Sequence, residues 1–185
     1  MEKKKIEKWM NIVSKIVLFG GIFAIIASIH SLSTTFHLYI TGSEPGRFNK
    51  EINKNVGTVA EIIGIATGAL WVVRKIWLEM KKRKWPFTDW IQQLFVLLRK
   101  RHIYLGILTL LLSFAHGVYF YLFVDERHQW TMYSGVVAFI SLIILALLGW
   151  RHEQNKKTKK NQQTKKAHVM FAIIFAILFL VHLNL

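Results

Sequence analysis

Eight histidines and not one cysteine set the limits of what these side chains can hold. Four of the histidines form two matched pairs. The stretch RHIYLGILTLLLSFAHGVYF places His102 and His116 14 residues apart, and AHVMFAIIFAILFLVHLNL does the same for His168 and His182. No other two histidines share that separation. At about 100° per residue, that spacing closes to within about 40° of four full helical turns. In a helix each pair therefore faces one side, its members about 21 Å apart along the axis. Such a distance is too long to share one metal ion and suits two haems in a column. Imidazole binds iron well, and an axial imidazole from each of two helices leaves no coordination position open for oxygen. The chemistry expected of such a site is one-electron transfer. Without cysteine, disulfides, iron–sulfur clusters and thiolate chemistry are excluded.

The elements that must carry these histidines are long and apolar. Five segments, 12–32, 56–78, 102–124, 132–150 and 167–185, are each near the ~20 residues that a helix needs to cross a bilayer core. A shorter stretch, 89–98, carries Trp90, Ile91, Leu94, Phe95 and Leu98 as an apolar side. It follows Pro86, has Asp89 and Gln92 at capping-box spacing, and ends in Arg99-Lys100-Arg101. The expected fold is all-α: an integral membrane helical bundle of one domain, 1–185, with about five transmembrane helices and one short interfacial helix. The first apolar run follows a basic start (Lys3, Lys4, Lys5, Lys8). It is longer than a signal-peptide core and has no convincing cleavage site, so it is expected to be retained.

Charge reports topology. The chain is 53% hydrophobic yet carries a formal net charge of +15, with the two classes segregated along the sequence. The apolar runs between the basic clusters are too long for a soluble nucleic-acid-binding fold, so nucleic acid is excluded as a partner. With the amino terminus inside, the inner segments 1–15, 74–84, 99–101 and 151–166 collect 21 of the 25 Lys and Arg. Only Arg47, Lys50, Lys54 and Arg127 fall outside. This positive-inside bias predicts a multi-pass protein of the cell membrane with its carboxy terminus outside. The third and fifth helices are then parallel. His102 and His168 are expected to ligate an inner haem iron, and His116 and His182 an outer one. His116 lies well inside an apolar helix, where an ionisable group is costly and usually functional.

The stretch from Arg101 through Leu105-Gly106 to His116 resembles the arginine–leucine–glycine-to-histidine signature of the ferric-reductase-like transmembrane family. That family includes ferric reductases, NADPH oxidases and the haem membrane subunit of the methionine sulfoxide reductase system. The resemblance covers about residues 60–185. It implies a membrane oxidoreductase subunit that moves electrons across the bilayer through haem b, two copies or at least one. His102, His116, His168 and His182 are the residues that match the family's ligands. The chain stops three residues after His182, which leaves no length for the family's flavin and nicotinamide domain. The expected donor is therefore a separate cytosolic flavoprotein reductase or a membrane quinol, and the outer acceptor stays open.

Other residues are secondary candidates. Arg99, Arg101, Lys165 and Lys166 flank the inner histidines and suit haem propionates, although the positive-inside bias already accounts for them. Glu61, in the outer half of the second helix, could relay protons, bind a quinone or reach the interface. Gly57, Gly64 and Gly68 line one face of that helix, for close packing or a porphyrin edge. His30 and His37 could mark an outer acceptor site or be ordinary interfacial residues. His128 and His152 fall in loops and are assigned no role. Trp71, Trp85, Trp130 and Trp150 lie near helix ends, as an interfacial belt would have them. Residues 154–166 read as a solvated inner loop. A competing class is a non-redox transporter or assembly factor, with Glu61 and the histidines along a polar path.

Overall fold

Lipid offers no hydrogen bonds to a backbone, so a chain of this composition must satisfy its amides within helices. A computed structural model describes residues 2–123, 129–154 and 161–185, and among these there is no strand. The helices are α1 (Glu2–Thr41), α2 (Arg47–Lys82), α3 (Thr88–Leu122), α4 (Gln129–Gln154) and α5 (Asn161–Leu183). All five contain a window long and apolar enough to span a bilayer, which makes the chain a multi-pass membrane protein. Large apolar side chains stand outward along them, with Ile40 80% and Phe23 72% exposed. In water such surface would be heavily penalised, and lipid covers it without cost.

Local chemistry sets the helix ends. Gly42, at φ +63°, ends α1: its N–H donates to Tyr39 O and that of Ser43 to Leu38 O, a Schellman motif. The same pair of bonds closes α2, from Lys84 to Lys81 O and from Trp85 to Met80 O, with Lys84 at φ 53° and Pro86 just beyond. Three boundaries differ from the sequence expectation. The amphipathic stretch 89–98 is not a separate helix but the opening turns of α3, because nothing between Leu98 and His102 breaks a helix. Asp89 lies within the first turn of α3, where the N–H groups of Trp90 and Ile91 bond to Phe87 O. Helices α4 and α5 extend to Gln154 and from Asn161, so 161–166 of the expected loop is helical, while 155–160 lie outside the described residues.

Two compact units emerge, one of Met1–Ser28 with Thr58–Leu112 and one of Ile29–Gly57 with Ser113–Leu185. In the first, α3 buries Leu105, Leu108 and Leu112 at helical spacing. It is tied to α1 by Arg101, whose Nε and Nη2 donate to Ser14 Oγ at 3.1 and 2.8 Å, and by Tyr104, whose hydroxyl donates to Leu18 O at 3.0 Å. These contacts rise together along both helices, so α1 and α3 run parallel there. Trp77 and Phe95 stack with centroids 5.4 Å apart.

In the second unit, α4 and α5 pack antiparallel, as their contacts described below require. The Phe114 and Phe139 rings stack at 6.0 Å, joining α3 to α4. A buried polar cluster joins α1 to α2: Ser31 Oγ donates to Asn53 Oδ1 at 2.6 Å, and Asn53 Nδ2 donates to Asn49 O at 2.9 Å. Thr35 Oγ1 donates to Ser31 O at 2.7 Å. Because every polar atom named here has a partner, the cluster fixes this corner rather than weakening it.

Candidate functional site

Three of the four paired histidines share one local construction. His116 Nδ1 lies 2.9 Å from Asn53 O on α2. On α4, His182 Nδ1 lies 3.2 Å from Thr131 O and His168 Nδ1 lies 3.1 Å from Leu145 O. A carbonyl oxygen only accepts, so each Nδ1 must carry the proton. A neutral imidazole protonated there keeps its lone pair on Nε2. This is the state a metal ligand needs, with the second ring nitrogen anchored so that tautomer and ring orientation are both fixed.

Glycine makes these carbonyls reachable. In a helix the carbonyl of residue i already accepts the N–H of residue i+4, and only its second lone pair is left for an imidazole. In all three cases residue i+4 is glycine: Asn53 precedes Gly57, Thr131 precedes Gly135 and Leu145 precedes Gly149. The histidine ring occupies the space that a side chain would take. A Cβ on Gly57 would sit 2.5 Å from His116 Nδ1. On Gly135 it would sit 3.0 Å from His182 Cε1, and on Gly149 3.0 Å from His168 Cε1. Gly135 and Gly149 are themselves 14 residues apart, and α4 thereby mirrors the spacing of the α5 histidines.

His116 and His182 belong to one unit and lie within electrostatic range of each other. The His116 ring also meets Phe120, with centroids 4.8 Å apart. His102 is half-buried and belongs to the other unit from His168. It is not among the nearest neighbours of any glycine. Arg101 is engaged with Ser14, and Arg99 is exposed. Glu61 is half-buried on α2, and Lys165, Lys166, His30 and His37 are exposed. His152 approaches Thr164 Oγ1 at 3.5 Å across α4 and α5, and His128 lies outside the described residues. The glycine face of α2 divides in use: Gly57 seats His116, a Cβ on Gly64 would lie 3.3 Å from the Thr109 methyl, and one on Gly68 would have nothing within 4 Å.

Sequence reasoning missed Gly135, Gly149, Asn53 and Ser134, whose hydroxyl lies 3.1 Å from His182 Nδ1. The repeated 14-residue glycine spacing on the fourth helix was the signal available for two of them. Among the described residues, no group of three or more His, Cys, Asp or Glu is placed to hold a bare metal ion. Two histidines suffice where a macrocycle supplies the remaining ligands, and the anchored rings fit that demand. Compared with family models, curated proteins and solved structures, the chain matches none of them.

Proposed function

We propose that this chain is a small membrane cytochrome of the b type, which passes electrons from a donor on its inner side to an acceptor on its outer side. The observation that carries this reading is the triple repetition of one seat. Three histidines that the sequence singles out by spacing are each fixed by Nδ1 on a helix carbonyl, over a glycine, with Nε2 left as the donor atom. Ordinary packing histidines have no reason to share that construction three times. The resemblance to ferric-reductase-like proteins around Arg101, Leu105-Gly106 and His116 supports the same reading.

Haem bound there would supply a one-electron ferric–ferrous couple. The protein's part would be to hold one haem through His116 and His182, with His102 and His168 as the candidate ligands of a second. The carbonyls of Asn53, Thr131 and Leu145 keep the imidazoles from rotating and raise their basicity. The apolar helices exclude water, and two histidines per iron close it to oxygen, so electron transfer is favoured over oxygen activation. The inner-side cations Arg99, Arg101, Lys165 and Lys166 are suited to propionates or to an acidic surface on a donor protein.

The test is the haem content and reduced-minus-oxidised spectrum of protein purified after expression with ample haem supply. The expected result is tightly bound haem, one or two per chain, with the sharp reduced α band of low-spin iron. Folded protein devoid of haem would contradict the proposal and favour a transporter or assembly role.

A further inference from the structure

Helix α4 builds its two histidine seats to one plan, and they differ at one polar position. Three residues beyond the Thr131 carbonyl stands Ser134, and three beyond that of Leu145 stands Leu148. Ser134 Oγ donates to Thr131 O at 2.8 Å and lies 3.1 Å from His182 Nδ1. With its hydrogen directed at Thr131, the hydroxyl faces His182 with a lone pair. The His182 proton is thus divided between two acceptors, at 3.2 and 3.1 Å. One of these, Thr131 O, already receives the helix N–H of Gly135 and the serine hydroxyl. At the other seat the Leu148 side chain can supply neither a donor to Leu145 O nor an acceptor to His168.

The strength of this bond matters because it sets the electron density on the ligating nitrogen. A firmly held Nδ1–H gives the imidazole more imidazolate character, which favours ferric iron and lowers the potential. A loosened one does the reverse. We propose that Ser134 is a positioning residue that loosens the hold on the His182 proton, so that iron held by His182 would be easier to reduce than it would be without that hydroxyl. The inference rests on the haem reading above. Reduction of that iron would take one electron from the donor proposed above. No bond is made or broken, and each Nδ1 keeps its proton.

The experiment is a spectroelectrochemical titration of the haem α band in wild-type protein and in the Ser134→Ala and Ser134→Thr variants, with haem content measured on the same samples. Ser134→Ala leaves Thr131 O as the one acceptor of the pair for the His182 proton and frees it of the serine hydroxyl. It should shift the reduction equilibrium about threefold toward ferric iron, close to 28 mV at 59 mV per tenfold for one electron. Ser134→Thr keeps the hydroxyl and should titrate as wild type. An unchanged or raised potential in Ser134→Ala, at full haem content, would overturn the inference and leave the haem reading intact. So would an equal shift in both variants. Wild-type protein without haem would instead overturn the reading on which the inference rests.

Discussion

The two ends of α3 carry the same residue type in different settings. His116 rests on the Asn53 carbonyl over Gly57. His102 has no such glycine, and the 14-residue step from Gly57 along α2 arrives at Trp71, which is half exposed and carries the Lys75 ammonium 3.9 Å above its ring. On α4 the same step from Gly135 arrives at Gly149, and both positions seat a histidine. Histidine spacing is thus duplicated on α3 and α5, whereas the glycine seat is duplicated only on α4. Equal spacing does not make equal sites. His116 and His182, within one unit, both rest on glycine-exposed carbonyls, and so does His168.

The sharpest way to break this comparison is at the ligands themselves. His116→Ala should remove one haem per chain, while His102→Ala should leave the haem of His116 and His182 in place and slow its reduction by an inner-side donor. Haem content and stopped-flow reduction read both effects, and loss of all haem from folded His102→Ala protein would contradict the asymmetry. Gly57→Ala comes next, because the new methyl meets the ring nitrogen at 2.5 Å. Overpacking of about 1–3 kcal/mol predicts haem retention weakened on the order of tenfold. Gly20→Ala, with nothing within 4 Å, should retain haem as wild type does. Gly149→Ala and Gly135→Ala face ring atoms at 3.0 Å and should show a milder loss, near the ~1 kcal/mol end of that range. The smallest effect on haem is expected away from the paired histidines. Ser31→Ala removes a donor from buried Asn53 and should lower stability by about 1–2 kcal/mol. Denaturation in detergent would show this, with haem content unchanged.

Much of the architecture was legible in the sequence, since unbroken apolar length dictates helices when lipid is the solvent. The five spans appear where hydropathy placed them. Their ends do not, because length beyond the bilayer is set by breakers such as Gly42 and Pro86 rather than by hydropathy. The absence of any breaker around Arg99–Arg101 fuses the amphipathic 89–98 stretch into α3. At the site, histidine spacing was readable because four helical turns return to one face. The seats were not. Gly135 and Gly149 look like generic packing residues until the register of α5 on α4 is known, and that register is a tertiary fact. Ser134 was hidden for the same reason. Arg101 shows the same limit: the positive-inside bias accounts for the cation, but its bonds to Ser14 are a tertiary fact the sequence could not show.

The central claim is that the anchored histidines offer Nε2 to iron from both sides of a haem. Near-infrared magnetic circular dichroism of the oxidised purified protein, with low-temperature paramagnetic resonance on the same sample, reads the axial ligands directly. Low-spin ferric iron with two neutral imidazoles is predicted, and His182→Ala should abolish that signal for one haem. High-spin iron, a single histidine ligand, or a bis-imidazole signal that persists undiminished in both His116→Ala and His182→Ala would contradict the account.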